Sequence, residues 1–130
     1  MDQHSSFSTT INCMDGRVQL PVNDWMRQEY GVAYVDTITE PGPIKILAEL
    51  QPDSAVESIK HRTDISVHKH GSTLIAIVAH YDCAGNPVDR DTQMDQLDLS
   101  IAQVKAWGYS VPVIGLWVDE DWTTHLVRQG

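Results

Sequence analysis

An α/β fold is what this chain of 130 residues predicts: a single domain built on a mainly parallel four-stranded sheet flanked by helices. Three observations point to it. Leu74-Ile75-Ala76-Ile77-Val78-Ala79 is an unbroken apolar run of strand length, the pattern of a strand covered on both faces. Strand-like and helix-like segments alternate along the chain. Glycines and prolines punctuate the junctions between them.

The elements follow in order. Phe7 to Cys13 reads as the first strand. Pro21 opens a short helix to about Tyr30, with Val22, Trp25 and Met26 on one face and Gly31 placed to stop it. Val32 to Ile38 is β-branched and aromatic, so it reads as the second strand. Glu40-Pro41-Gly42-Pro43 breaks the chain, and Ile44 to Leu50 supplies one or two helical turns.

Asp53-Ser54 is an N-cap for a longer helix whose apolar contacts are Val56, Ile59, Ile65 and Val67, ending at Gly71. The Leu74–Ala79 run is the third strand. Asp91 starts a helix carrying Met94, Leu97, Ile101, Val104 and Trp107 at spacings of three and four, with Gly108 at its end. Val111 to Val118 is the fourth strand. Trp122 and Leu126, four apart, are expected to begin a terminal helix.

With right-handed crossovers, four such strands arrange most simply in the order 2-1-3-4. The first and third are then neighbours, and the chain leaves them in opposite directions. That is a topological switch point, where ligands bind beyond the carboxyl ends of the strands. Cys13 stands at the end of the first strand and His80 just past the third. The topology therefore brings together two motifs, Cys13-Met14-Asp15-Gly16-Arg17 and His80-Tyr81-Asp82-Cys83.

These motifs contain both cysteines of the protein. Two thiolates and an imidazole suit zinc, and three protein ligands leave a fourth position for water or substrate. Cys13, His80 and Cys83 are the expected ligands, preferred over two buried cysteines beside a satisfied histidine. Asp15 either orients a zinc-bound hydroxide, held ionised by Arg17, or ligates the zinc and closes the site. A structural ion pair is the plainer reading of Asp15 and Arg17.

Cys-x-Asp-x-Arg after the first strand and His-x-x-Cys after the third resemble the signature of the β-class carbonic anhydrases. The resemblance implies a zinc lyase in which Cys13, His80 and Cys83 bind the metal and Asp15 and Arg17 form a dyad beside it. It also implies the parallel-sheet fold, a homo-oligomer (a dimer or larger), and hydration of carbon dioxide to bicarbonate. Carbonyl sulfide and carbon disulfide are the substrates of related family members. Departures are local: Thr37-Ile38-Thr39-Glu40-Pro41-Gly42-Pro43 stands where the family has an Arg-Asn-Ala-Gly-like turn, and Ala84-Gly85 follows Cys83 in place of Gly-Gly.

Other readings are weaker. A zinc-binding protein without catalysis needs the altered loops to close the site. A thiol redox protein lacks a Cys-x-x-Cys motif. A net charge of −9, spread along the chain, argues against nucleic acid or an anionic membrane as partner. The longest apolar run is far short of the roughly 20 residues that span a bilayer. Met1 to Ser6 has no basic segment followed by an apolar block, so no signal peptide and a cytoplasmic location are expected.

His61, His68 and His70 read as a solvated helix face, not a second metal site. Tyr81 and Asp82 are expected in the pocket wall, and Trp25, Trp107, Trp117 and Trp122 in the core or an interface. Asp89, Asp91, Asp95 and Asp98 read as helix-start and surface charges.

Overall fold

The computed structural model describes residues 6–129; the expectation about a signal peptide falls almost wholly on residues outside that range. In chain order the elements are β1 (Phe7–Cys13), a 3-10 turn (Gly16–Val18), α1 (Gln19–Tyr30), β2 (Tyr34–Glu40), α2 (Pro43–Glu49) and α3 (Asp53–Asp64). A π-helical turn (Ile65–Lys69) extends α3. Then come β3 (Ile75–His80), α4 (Arg90–Ala106), β4 (Val113–Val118) and β5 (Thr124–Gln129).

The sheet runs β2-β1-β3-β4-β5. The four expected strands are present in the expected order and all parallel. A fifth, β5, adds antiparallel to β4. It corrects two expectations at once: the sheet has five strands, not four, and Trp122 and Leu126 do not begin a helix. After β4 the chain reverses in a tight turn, with Asp119 N–H donating to Thr123 O (3.0 Å) and Trp122 N–H to Asp119 O (2.9 Å). The Asp119 carboxylate also accepts from the Asp121 and Thr123 amides. Once reversed, the segment satisfies its backbone on the open edge of β4. Trp122 belongs to the turn and Leu126 to β5, and both pack against one and the same layer.

Alternate residues of the central strands feed two cores. Ile75, Ile77, Ala79, Val113 and Trp117 pack with Ile44 and Leu47 of α2, Ile59 of α3, and Met94, Leu97, Ile101 and Val104 of α4. Ala76, Val78, Ile114, Leu116 and Val118 face the other way, onto Val22 and Met26 of α1. The departure of α1 to one face and of the remaining helices to the other is what makes the β1–β3 boundary a switch point. Gly115 lets α4 settle on β4: a Cβ there would lie 2.9 Å from Leu97 Cδ2 and 3.1 Å from Ile101 Cδ1.

One expected core position fails. Ile65 is 40% exposed, although Ile59 is buried and Val67 packs against the core as expected; Val56 is half-buried. The wider π-helical turn, closed by His70 N–H donating to Ile65 O, rotates Ser66 into the protein in its place. Ser66 Oγ donates to Asp36 Oδ2 (2.7 Å) and shares hydrogen bonds with Thr9 and Ser72. His61, His68 and His70 are exposed. His70 is nonetheless engaged, with Nδ1 2.6 Å from Asp36 Oδ2 and its ring stacked on Phe7.

The two faces of α4 give a test. Leu97→Ala, fully buried against the sheet, is expected to cost about 2–5 kcal/mol in urea unfolding. Leu99→Ala, at a position 56% exposed on the same helix, is expected to change stability by less than about 0.5 kcal/mol.

Candidate metal centre

β1 and β3 pair over three residues, Thr9 to Ile11 against Ile75 to Ile77, and then part. At the end of β1 the Cys13 N–H is taken by the Asn12 side chain (2.8 Å), while Asn12 Nδ2 donates to Val18 O. The next turn is fixed by Gln19, whose Nε2 donates to the carbonyls of Cys13 (2.7 Å) and Asp15 (2.9 Å). At the end of β3, Gln93 reaches from α4 to clamp the backbone of His80: its Oε1 accepts from His80 N–H (3.2 Å) and its Nε2 donates to His80 O (2.8 Å).

These fixed ends carry the three donors to one point. The ligand atoms of Cys13, His80 and Cys83 all lie within 4.8 Å of one another, and all three residues are buried. The sulfurs are 3.9 Å apart, far beyond a disulfide bond, and both thiols are free. Two sulfurs bound to one zinc at tetrahedral angles would stand about 3.8 Å apart. His80 Nδ1 lies 2.8 Å from the Tyr81 carbonyl. His80 Nε2 is buried with no hydrogen-bond partner. An orphaned ring nitrogen beside two sulfurs is a donor set that fits a metal ion, and the fit is to zinc or another thiolate-binding cation.

The electrostatics agree. The Cys13 thiol is lowered to about 4, chiefly by the Cys83 side chain, with His80 and the backbone amides of Gly42 and Asp15 adding to it against burial. Cys83 is pushed up by the same partnership and by burial, while the Gly85 and Asn86 amides act in the other direction. Burial opposes charge on His80, yet Cys13 and the Tyr81 carbonyl move its pKa upward on balance.

Asp15 is not part of the three-donor cluster. It pairs with Arg17 instead. Its Oδ1 accepts from Arg17 N–H (2.9 Å) and Nε (3.0 Å), and its Oδ2 from Arg17 Nη2 (2.7 Å). Of the two states open to Asp15 in sequence, this is the paired one. The Arg17 hydrogen bonds lower the Asp15 carboxyl from 3.8 to about 2, and the same contact raises Arg17.

Tyr81 and Asp82 line the wall of a cavity of about 670 Å³ that opens beside Cys83, as do Pro87, Val88 and Trp117. The loops after β2 and β3 meet almost without side chains: a Cβ on Gly85 would stand 2.7 Å from the Pro41 carbonyl carbon, and one on Gly42 2.8 Å from Asn86 Cβ. Gln19 and Gln93 were not among the residues that sequence reasoning singled out, and Gly42 and Gly85 entered it only within loops that depart from the family pattern. Gln93 left a signal, an amide on the apolar stripe of α4 four residues before Leu97. Gln19 left none.

Residues 3–128 match a family model described as "Putative carbonic anhydrase". The chain belongs to this family. No curated protein matches it in sequence. Among solved structures it is similar to a chain from a study of two tetrameric β-carbonic anhydrases of the filamentous ascomycete Sordaria macrospora. That match has 12% identity and a TM-score of 0.50, covering 97% of this chain and 82% of the other. At that identity the likeness concerns the fold, a central sheet flanked by helices. Carbonic anhydrase membership thus accords with the resemblance carried by the two motifs.

The Asp15–Arg17 pair sets an acid limit. A carboxyl lowered to about 2 from 3.8 adds stability that is complete above pH 4 and lost as pH falls through 2. Asp15→Asn is expected to flatten that part of the stability profile, measured by chemical denaturation between pH 5 and pH 2 (~3 pH units, spanning both values).

Proposed function

We propose that the protein hydrates carbon dioxide to bicarbonate, with a zinc ion held by Cys13, His80 and Cys83. The observation that carries this is the unpartnered His80 Nε2 facing two sulfurs 3.9 Å apart at the β1–β3 switch point. Zinc, when bound, supplies a Lewis acid that lowers the pKa of a water held on it.

The chain's own residues do the rest. Cys13 and Cys83 as thiolates and His80 as a neutral imidazole balance the charge of a divalent cation. Amides of Gly42, Asp15, Gly85 and Asn86 share the sulfur charge. Asp15, ionised at any physiological pH, is an acceptor and not a proton donor. Its Oδ2 would accept a hydrogen bond from the attacking oxygen and turn that oxygen's lone pair towards carbon, with the proton released in forming bicarbonate passing to solvent. Arg17 keeps the carboxylate in that orientation. A reducing, cytoplasmic setting would keep both thiols available as ligands.

Zinc content and hydration rate measured on the same samples test the assignment. One zinc per chain and stopped-flow hydration are expected of the wild type. Asp15→Asn is expected to keep its zinc and lose about 10²-fold in rate, the scale of a positioned proton acceptor removed. His80→Ala is expected to lose the metal. Absence of zinc uptake by reduced wild-type protein, or a fully loaded Asp15→Asn with unchanged rate, would overturn the respective assignments.

Assembly belongs to the same proposal. β2 stands at the sheet edge, paired to β1 alone, and presents Tyr34 at 49% exposure. Met14, Leu20 and Tyr81 are also large, apolar and exposed. The similar fungal enzymes are tetrameric. An unpaired edge and uncovered apolar side chains favour association. Light scattering at micromolar concentration is expected to give a dimer or larger; a monomer mass would count against it.

A further inference from the structure

We infer that Trp122, in the β4–β5 turn, is a positioning residue for the Asp15–Arg17 pair, holding the guanidinium by its face. The inference rests on the hydration reading for its catalytic consequence, but the clamp itself is geometric. Arg17 is engaged along its edge by two acids. Nε and Nη2 donate to Asp15, Nη1 donates to Asp82 Oδ2 (3.3 Å), and Nη2 also donates to Asp82 O (3.1 Å). These bonds lie at the rim of a planar group and leave it free to tilt. The indole of Trp122 closes that freedom: Arg17 Cζ lies over the ring, 4.5 Å from its centroid. Edge and face together fix the plane, which matters for a side chain that is 45% exposed.

Backbone conformation points the same way. Three non-glycine residues among those described have positive φ, and two of them touch Arg17: Asp82 at +58° and Trp122 at +60°. A left-handed conformation is rare for a bulky residue and persists where the surroundings enforce it. Here the enforcement is visible. Asp119 Oδ1 accepts from the amides of Asp121 and Thr123, its Oδ2 lies 2.7 Å from His125 Nε2, and its carbonyl accepts from Trp122 N–H. Tyr81 meets the indole edge-on, with centroids 6.4 Å apart. The turn is built to present one side chain, and that side chain lands on Arg17.

Trp122 also packs against the cluster containing Cys13, Val18 and Cys83, so a purely structural cover is the competing account. Three substitutions separate the two. Trp122→Leu and Trp122→Met keep apolar bulk and remove the π face, so either one that folds decides; Trp122→Phe restores a smaller face. On zinc-loaded protein, two quantities are read: exchange of the Arg17 Nε–H with water by ¹⁵N NMR, and kcat and KM for hydration.

Loss of the ring is expected to speed exchange and lower kcat by about 2- to 5-fold, the scale of an exposed cation–π contact, with KM and zinc content unchanged. Trp122→Phe is expected to lie between those variants and wild type. Wild-type exchange at Arg17 in the Leu or Met variant would overturn the clamp. So would a Phe variant no better than Leu, because packing alone would then explain the loss. A wild type that is fully loaded with zinc yet inactive, while its Arg17 signal still answers to Trp122→Leu, would sink the hydration reading and leave the clamp supported.

Discussion

The parallel ladder between β1 and β3 is only three residue pairs long, and the site depends on where it stops. Up to Ile11 the two strands are tied by backbone hydrogen bonds. Beyond it, β1 stays paired to β2 as far as Cys13, and β3 to β4 as far as His80. The strands diverge while each remains anchored on its outer side. A longer ladder would place Cys13 and His80 in the sheet plane, their side chains alternating between faces. A shorter one would let the ends wander. The gap at the end of a short ladder gives two thiols and an imidazole room to converge.

Convergence leaves polar backbone to be satisfied, and amide side chains, two of them buried, do it. Asn12, Gln19 and Gln93 take up groups that the parting strands no longer pair. Gln93 is 2% exposed, and both ends of its amide serve one residue, His80. Such a reciprocal pair fixes the backbone of the imidazole without crowding the ring. An unsatisfied group at that depth would cost about 1–3 kcal/mol, so the amides stabilise the fold as well as aim the donors.

Much of this arrangement was legible in the sequence because it is local or periodic. Leu74 to Ala79 declared a strand by continuous apolarity, and Met94, Leu97, Ile101 and Val104 a helix by spacing. The strand order followed from crossover handedness, and with it the meeting of Cys13, His80 and Cys83. What escaped depends on distant partners. β5 is half-buried along its length, and the turn before it carries neither glycine nor Asn-Gly; its reversal depends on the Asp119 side chain. Ile65 was misplaced because a π-helical turn shifts the helical phase, which no local pattern in Ile65-Ser66-Val67 announces. Gln93 was visible as an oddity on an apolar face, but its partner lies thirteen residues back on another element.

The near-touching loops at Gly42 and Gly85 constrain how such a site can diversify. Each loop presents a backbone amide to a different sulfur, Gly42 to Cys13 and Gly85 to Cys83. Pro41 closes on Gly85, and Gly85 with Asn86 Cβ closes on Gly42, so neither glycine has room for a side chain. The donor environment of both sulfurs is therefore tied to one spacing that substitution can only widen. The opposite wall of the cavity is less constrained, because Val88 there is 39% exposed. The adaptable wall of the cavity and the fixed approach of the two loops therefore lie on different segments of the chain.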